Sequence, residues 1–312
     1  MIIPSFSNII NFTLLSSRAI HQDFIALDSN LPTAQERYRP VVIWHGLGDH
    51  YNSTGIHKVA DLFNRYYPGI EVYSISLDEI PSNDQQLSMF GDANIQLQQV
   101  CDKMKTIPNI SSGFDGIGFS QGGLFLRALV QRCDDIKIAN LITFGSPHMG
   151  VSELPLCEKN DWICKGRNAI LKKQVWFSRV QRLLIPAQYF RDPKELDKYL
   201  KYSNFLADIN NERDSINKTY SERLSKLENL VLIEFLKDTT LVPKESSKFF
   251  DRSANGEIID FNQTRIYQQE RLGLKSLYET NRIEFLSIDA DHMDIPVLFV
   301  ERIAKKYIGS II

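Results

Sequence analysis

Long apolar runs are missing from the 312 residues, and nothing approaches the ~20 apolar residues a membrane-spanning helix needs. A charge excess of one sign is missing too: Lys+Arg number 36 and Asp+Glu 38, a formal net charge of −2. Dedicated nucleic-acid binders carry a basic excess, so no nucleic-acid partner is expected. Cysteine is scarce, with four residues and no CxxC spacing, so no zinc site is read from it. Internal repeats and low-complexity tracts are absent as well. Collagen, coiled coil and membrane bundle are therefore excluded. What remains is a chain 43% hydrophobic and 24% charged, enough to bury a core in one large domain or two modest ones.

The N-terminus reads as a secretory leader. Ile9 to Leu15 is a short apolar core, and Ser17-x-Ala19 supplies small residues for cleavage, although a basic start is missing. Residues 1–19 are thus the expected signal peptide, with 20–312 as one domain; a frayed or anchored N-terminus is the alternative. Cys101, Cys133, Cys157 and Cys164 allow three pairings. The preferred one joins Cys101 to Cys133 and Cys157 to Cys164; four reduced thiols are the alternative. Asn11, Asn52, Asn109, Asn217 and Asn262 each begin an N-x-[ST] sequon. Asn11 would leave with the leader, so the other four are the glycosylation candidates.

Short apolar runs alternate with amphipathic stretches. Strands are predicted at Val41 to Trp44, Glu71 to Leu77, Phe114 to Phe119, Leu141 to Phe144, Leu230 to Leu236 and Ile283 to Ile288. Helices are predicted at Ile56 to Tyr67, Gln85 to Met104 and Gln121 to Arg132. This order implies an α/β fold, a mostly parallel central sheet flanked by helices. From about Val151 to Leu227 no strand pattern appears. That segment, rich in aromatics from Trp162 to Phe205, reads as a helical insertion over the strand C-terminal ends. Most of its aromatics are expected to pack the insertion on the sheet, and some to line an apolar groove.

The sharpest motif is Gly118-Phe119-Ser120-Gln121-Gly122, a G-x-S-x-G between a predicted strand and a predicted helix. A tight turn there lifts the Ser120 hydroxyl above the strand end, at a helix N-terminus that favours negative charge. A serine hydroxyl is a poor nucleophile and needs a base and an orienting acid. On an α/β-hydrolase sheet these follow in the order Ser, Asp or Glu, His. His292 lies past the last strand and is the expected base; His148 also follows Ser120 but sits soon after the fourth strand. Asp238 ends the fifth strand and suits the acid, with Asp260, Asp289 and Asp291 competing. The backbone N–H groups of Gln121 and Leu47, the latter in Trp44-His45-Gly46-Leu47-Gly48-Asp49, are the candidate oxyanion donors.

These stretches resemble the palmitoyl-protein thioesterases of the α/β-hydrolase superfamily. The resemblance rests on Val42 to Asp49, Gly118 to Gly123, Phe125 to Ala128, Gln131 to Cys133, Phe205 to Asn210, Arg271 to Lys275 and Asp291-His292. It spans about residues 40 to 295. It implies an enzyme of the secretory route, in lysosome or vacuole or secreted, that removes long-chain fatty acyl groups from cysteine thioesters of proteins. It implies the triad Ser120, Asp238 and His292, supports both disulfides, gives the insertion (about 151–227) the acyl groove, and requires no metal or organic cofactor. The chain departs from the family in carrying His50-Tyr51-Asn52 where the animal enzymes have adjacent cysteines. It also has Leu47 where better-known members carry methionine, and Pro147-His148 in place of a more polar stretch. A lipase or carboxylesterase acting on oxygen esters would use the same triad. A non-catalytic fatty-acid-binding protein would not need it.

Overall fold

The computed structural model describes residues 37–153 and 172–312. The expected leader, Asn11, Trp162 and the Cys157–Cys164 pair lie outside these residues. Six strands form one sheet: β1 (Val41–Trp44), β2 (Val72–Ser74), β3 (Phe114–Phe119), β4 (Ile138–Phe144), β5 (Asn229–Phe235) and β8 (Ile283–Ile288). Their order is β2-β1-β3-β4-β5-β8, and every neighbouring pair is parallel. A two-stranded antiparallel ribbon, β6 (Asp251–Arg252) with β7 (Ile258–Ile259), lies apart from it.

The sheet is apolar on both faces because helices cover both, as parallel sheets require. Val41 and Ile43 of β1 pack with Ile56, Val59 and Phe63 of α1 (Thr54–Tyr66) and with Val300 and Ile303 of the C-terminal helix Val297–Tyr307. Val42 and Trp44 point the other way, into the core shared with α3 (Ala93–Met104) and α4 (Gln121–Arg132). The chain runs from β1 to β2 on one side and from β3 to β4 on the other. The helices after β1 and β3 therefore take opposite faces, and a crevice opens above the two strand ends, where ligands of such sheets bind.

Several boundaries differ from the sequence reading: β4, for one, begins at Ile138 rather than Leu141. The helix expected over Gln85 to Met104 is two helices, α2 (Pro81–Met89) and α3. Gly91 separates them at φ +131°, and Asp92 caps α3 by accepting from the Asn94 N–H. Strand β2 stops at Ser74, short of Leu77. Ile75 still donates to Ile43 at 2.8 Å, but the Leu77 N–H donates to the Asp84 carboxylate and leaves the ladder.

Between Val151 and Leu227 the described residues contain short helices, Ser178–Leu183, Ile185–Gln188, Leu196–Tyr202, Leu206–Ile209 and Lys218–Leu224. Tyr189, Phe190, Tyr199 and Phe205 are buried in the α4 core, whereas Phe177 and Tyr202 are exposed. A disulfide joins Cys101 on α3 to Cys133 at the end of α4, across 32 residues of sequence. Closing a loop of that length stabilises the fold by roughly 3–4 kcal/mol.

A buried polar network holds the insertion to α4. Arg127 donates to Asn210 Oδ1 at 2.7 Å and to the Ile209 carbonyl at 3.2 Å. Asn210 donates in turn to Glu212, which also accepts from Tyr199 (2.5 Å) and Arg191 (2.9 Å). Arg191 closes a second ion pair with Asp251 of β6. Two guanidinium groups thus face two carboxylates. Burial pushes Arg127 down to about 9 against the pull of Tyr199 and Glu212. Arg191 is also buried, but Glu212 and Asp251 more than offset that and hold it well above its ordinary value.

Replacing Glu212 by Gln leaves two buried guanidinium groups facing a single carboxylate. The expected loss is roughly 3–5 kcal/mol of stability, seen as a lower urea midpoint at unchanged slope. A loss within error of zero would show that the network is not charge-compensated in this way.

Candidate active site

The site begins with the turn between β3 and α4. A side chain at Gly118 would place its Cβ 2.1 Å from the Gly123 Cα, and one at Gly122 would lie 2.2 Å from the Trp44 carbonyl oxygen. Strand, helix and β1 therefore touch through backbone alone, which only glycine allows. Between them Ser120 is held at φ 50°, ψ −121°, a conformation costly for a residue with a Cβ. Its N–H donates to the Phe144 carbonyl of β4 at 2.7 Å. The strain aims the side chain out of the strand end, as in a nucleophile elbow.

His292, in the loop after β8, places Nε2 3.0 Å from Ser120 Oγ. Its Nδ1 lies 2.5 Å from Asp238 Oδ2. Asp238 follows β5, is almost wholly buried, and uses Oδ1 to accept the N–H groups of Thr240 and Leu241, each at 2.8 Å. With that oxygen spent on the loop, the other faces the imidazole. The structure thus brings Ser120, Asp238 and His292 into one hydrogen-bonded chain. Among the competing acids, Asp289 is exposed and pairs with Lys237 at 3.3 Å, and Asp260 and Asp291 are exposed. His148 is fully buried, stacks on Phe249 at 4.6 Å and contacts Thr143 Oγ1 at 3.0 Å. Burial, with Arg127 nearby, pushes His148 well below its ordinary value and keeps it neutral.

The Leu47 loop lies against the elbow: a Cβ on Gly46 would be 3.3 Å from Ser120 Cβ. Gln121 is the first residue of α4, where the N–H has no intrahelical partner. Ser88 of α2 ties both segments together. Its hydroxyl accepts the Gly48 N–H at 2.8 Å, and its carbonyl accepts Gln121 Nε2 at 2.9 Å.

Behind that loop is a pair that sequence reasoning missed. His45 and Asp84 are both buried, with Nε2 and Oδ2 3.0 Å apart, while His45 Nδ1 lies 3.0 Å from the Gly46 carbonyl. Nδ1 thus meets a hydrogen-bond acceptor and Nε2 lies within ion-pair distance of the carboxylate without an aligned hydrogen bond, an arrangement that suits an imidazolium. Burial works against the charge on His45, but Asp84 and the Gly46 carbonyl raise it overall. Burial likewise works against the charge on Asp84, but His45 and the N–H groups of Leu77 and Tyr51 lower it overall. The available signal was the spacing of Asp84 and Ser88, four apart on α2 and so on one face of it.

A cleft of about 360 Å³ opens over Ser120 and His292. The wall contributed by segments after β1 and β2 includes Asp49, His50, Asn52, Ser53, Thr54 and Gln85. The wall from segments after β4, β5 and β8 includes Pro147, Val151, Tyr189, Thr240, Leu241 and Met293. Of the insertion's aromatics among the described residues, only Tyr189 lines this cleft. Of the glycosylation candidates, Asn52, Asn217 and Asn262 are exposed. Asn109 differs, because its amide donates to Glu71 at 2.7 Å and its oxygen accepts from Arg37.

A parallel sheet with a strained serine at the elbow, and with histidine and aspartate on later strand ends, is the α/β-hydrolase fold. Within that fold, the family model for palmitoyl protein thioesterase matches residues 40–292. Palmitoyl-protein thioesterase 1 of Caenorhabditis elegans is 39% identical over 272 residues, 86% of this chain and 91% of its own. Palmitoyl-protein thioesterase 3 of Dictyostelium discoideum is 33% identical over 264 residues, 83% of this chain and 86% of its own. The lysosomal thioesterase PPT2-B of Xenopus laevis is 27% identical over 257 residues, covering 80% and 85%. This chain belongs to the palmitoyl protein thioesterase family.

The buried pair has a signed pH dependence. His45 is raised from 6.5, so its contribution is complete below that value and lost as pH climbs through the raised one. Asp84 is lowered from 3.8, so its contribution is complete above that value and lost as pH falls through the lowered one. Asp84→Asn should therefore cost more thermal stability at pH 5 than at pH 9. An equal drop in melting temperature at both would show that charge pairing is not what Asp84 supplies.

Proposed function

We propose that this protein hydrolyses long-chain fatty acyl thioesters on cysteine residues of proteins, through an acyl-enzyme on Ser120. The observation that carries the reading is the chain Ser120–His292–Asp238, at 3.0 and 2.5 Å, opening into a cleft with one largely apolar wall. Membership of the palmitoyl protein thioesterase family, with two relatives named palmitoyl-protein thioesterase at 39% and 33% identity, supports the substrate class.

In this reading the acyl carbon lies beside Ser120 Oγ. His292 Nε2 accepts the serine proton as the Oγ–C bond forms, and Asp238 holds the imidazole in the tautomer that leaves Nε2 free to accept. The N–H groups of Leu47 and Gln121 stabilise the oxyanion, which is why the close packing of the Gly46 loop on the elbow matters. The C–S bond then breaks. A cysteine thiolate, with an ordinary pKa of about 8.5, is a good leaving group and takes the proton back from His292 with little assistance. Water deprotonated by His292 attacks the acyl-enzyme, releasing the fatty acid and restoring Ser120. Burying the chain along the apolar wall contributes ~0.8 kcal/mol per methylene before costs.

The place of action is proposed to be the lysosome or an equivalent vacuole, because a relative covering most of this chain is named a lysosomal thioesterase. The acid-stable His45–Asp84 pair suits such a compartment. Among the described residues no helix is long and apolar enough to cross a membrane.

The test is hydrolysis of a palmitoyl-cysteine peptide beside its palmitoyl-serine analogue, with wild type and Ser120→Ala. The expected outcome is thioester turnover that falls roughly a thousandfold or more in the variant, with slower cleavage of the oxygen ester. Preference for the oxygen ester would assign the protein to esterases instead, and turnover that survives in Ser120→Ala would remove the nucleophile assignment.

A further inference from the structure

The two walls of the cleft differ in chemistry, and the sheet order keeps them apart. β1 and β2 lie on one side of β3, while β4, β5 and β8 lie on the other. Segments after the first pair supply carboxylate, imidazole, amide and hydroxyl groups beside Leu47, whereas those after the second supply mainly Pro147, Val151, Tyr189, Leu241 and Met293, with Thr240. A palmitoyl chain has no use for the first wall, since burying polar groups against hydrocarbon without hydrogen bonds is unfavourable. Several of these polar groups are already committed. Asp49 accepts from the His50 N–H at 2.9 Å and from Ser53 Oγ at 3.1 Å. Gln85 donates to the Gly48 carbonyl at 2.6 Å, and Asn52 Oδ1 faces His57. His50 also lines the cleft, and its ring forms no hydrogen bond among the described residues: Nδ1 is enclosed, while Nε2 is left without a partner. The unpartnered Nε2, and not the enclosed Nδ1, is the atom a bound group can reach.

We propose that this wall binds the leaving group, the main-chain amides beside the S-acylated cysteine of a peptide or protein, and that His50 is the side chain that determines the preference for it. The inference rests on the thioesterase reading above. The acyl chain lies along the apolar wall and the sulfur stays within reach of His292 Nε2. The peptide runs from the sulfur over the loop of residues 49–54, where its amides meet the His50 ring. The chemistry of hydrolysis is unchanged; what the wall adds is discrimination among thiols.

The experiment compares two palmitoyl thioesters on purified protein, one of a cysteine within a short capped peptide and one of ethanethiol, which has no amides. The quantity read is the ratio of their kcat/KM values. Wild type should favour the peptide, and His50→Leu should lower the ratio about tenfold, through KM for the peptide. His50→Gln, which keeps a hydrogen-bonding side chain, should retain most of it. Leu241→Ala, on the opposite wall, should weaken discrimination between palmitoyl and octanoyl chains and leave the ratio alone. As a measurement on wild type alone, the deacylated peptide at millimolar concentration should compete with the ethanethiol thioester. An unchanged ratio in His50→Leu, equal losses on both thioesters, or no competition by the peptide would each overturn the assignment. Wild type inactive on both thioesters would overturn the thioesterase reading and this one with it, an outcome distinct from the others.

Discussion

At the turn between β3 and α4, three stretches of backbone meet with no room for a side chain. Gly122 lies against the carbonyl oxygens of Trp44 and His45, and Gly118 lies against Gly123. The strand, the helix behind it and the neighbouring strand β1 are locked in one arrangement. Ser120, between the glycines, must then take a positive φ. Such a conformation persists only where its surroundings over-determine it. Here they do so through the hydrogen bond to β4 and through the packing of the Gly46 loop. Every other part of the site is placed relative to that one turn. Asp238 and His292 reach it from the ends of β5 and β8, so a chain of three side chains spans the sheet from its centre to one edge.

The surroundings are themselves held by charge. On the β1 side, the Asp84 carboxylate gathers the N–H groups of Tyr51 and Leu77 and the ring of His45, which fixes the loop carrying Leu47. On the α4 side, Arg127, Asn210, Glu212, Arg191 and Asp251 form a buried chain that ends at the β6–β7 ribbon. Removing a partner from either set would leave a charge without compensation, which is far more costly than never having buried the pair. These groups therefore act as positional constraints more than as sources of net stability. The elbow gets its rigidity from backbone contact, and the segments around it get theirs from paired charges.

Much of this was legible in the chain. Val41–Trp44, Phe114–Phe119 and Ile283–Ile288 are short, apolar and bounded by polar residues, and all three are strands with those bounds. Ser120 stood out through its glycines, and Asp238 and His292 through their places after later strands. What was not legible depends on residues that meet only after folding. α2 carries Ser, Asn, Asp and Gln with no apolar stripe, so its register against the Gly48 loop, and with it the burial of Asp84, left no periodic trace. Glu212 and Arg191 stand 21 residues apart, and nothing in that spacing announces their pairing. The break at Gly91 was missed because a single glycine is tolerated inside a helical pattern, and one residue at φ +131° decides the matter.

In the aromatic-rich segment most rings are expected to pack the insertion on the sheet, and some to line a groove. In the structure Phe190, Tyr199 and Phe205 are spent on the α4 core, and Tyr199 also serves the Arg127–Glu212 network. The apolar wall of the cleft is instead assembled from single residues on separate segments: Val151 and Pro147 after β4, Tyr189 within the insertion, Leu241 after β5 and Met293 after β8. The polar wall follows β1 and β2 in the same way. Which chemistry stands on which side of Ser120 is therefore a property of strand order. A parallel sheet whose strand order reverses between β1 and β3 sends its loops to opposite sides of the crevice. A substrate with one apolar and one polar arm can lie across it in the sense that places each arm against its own wall.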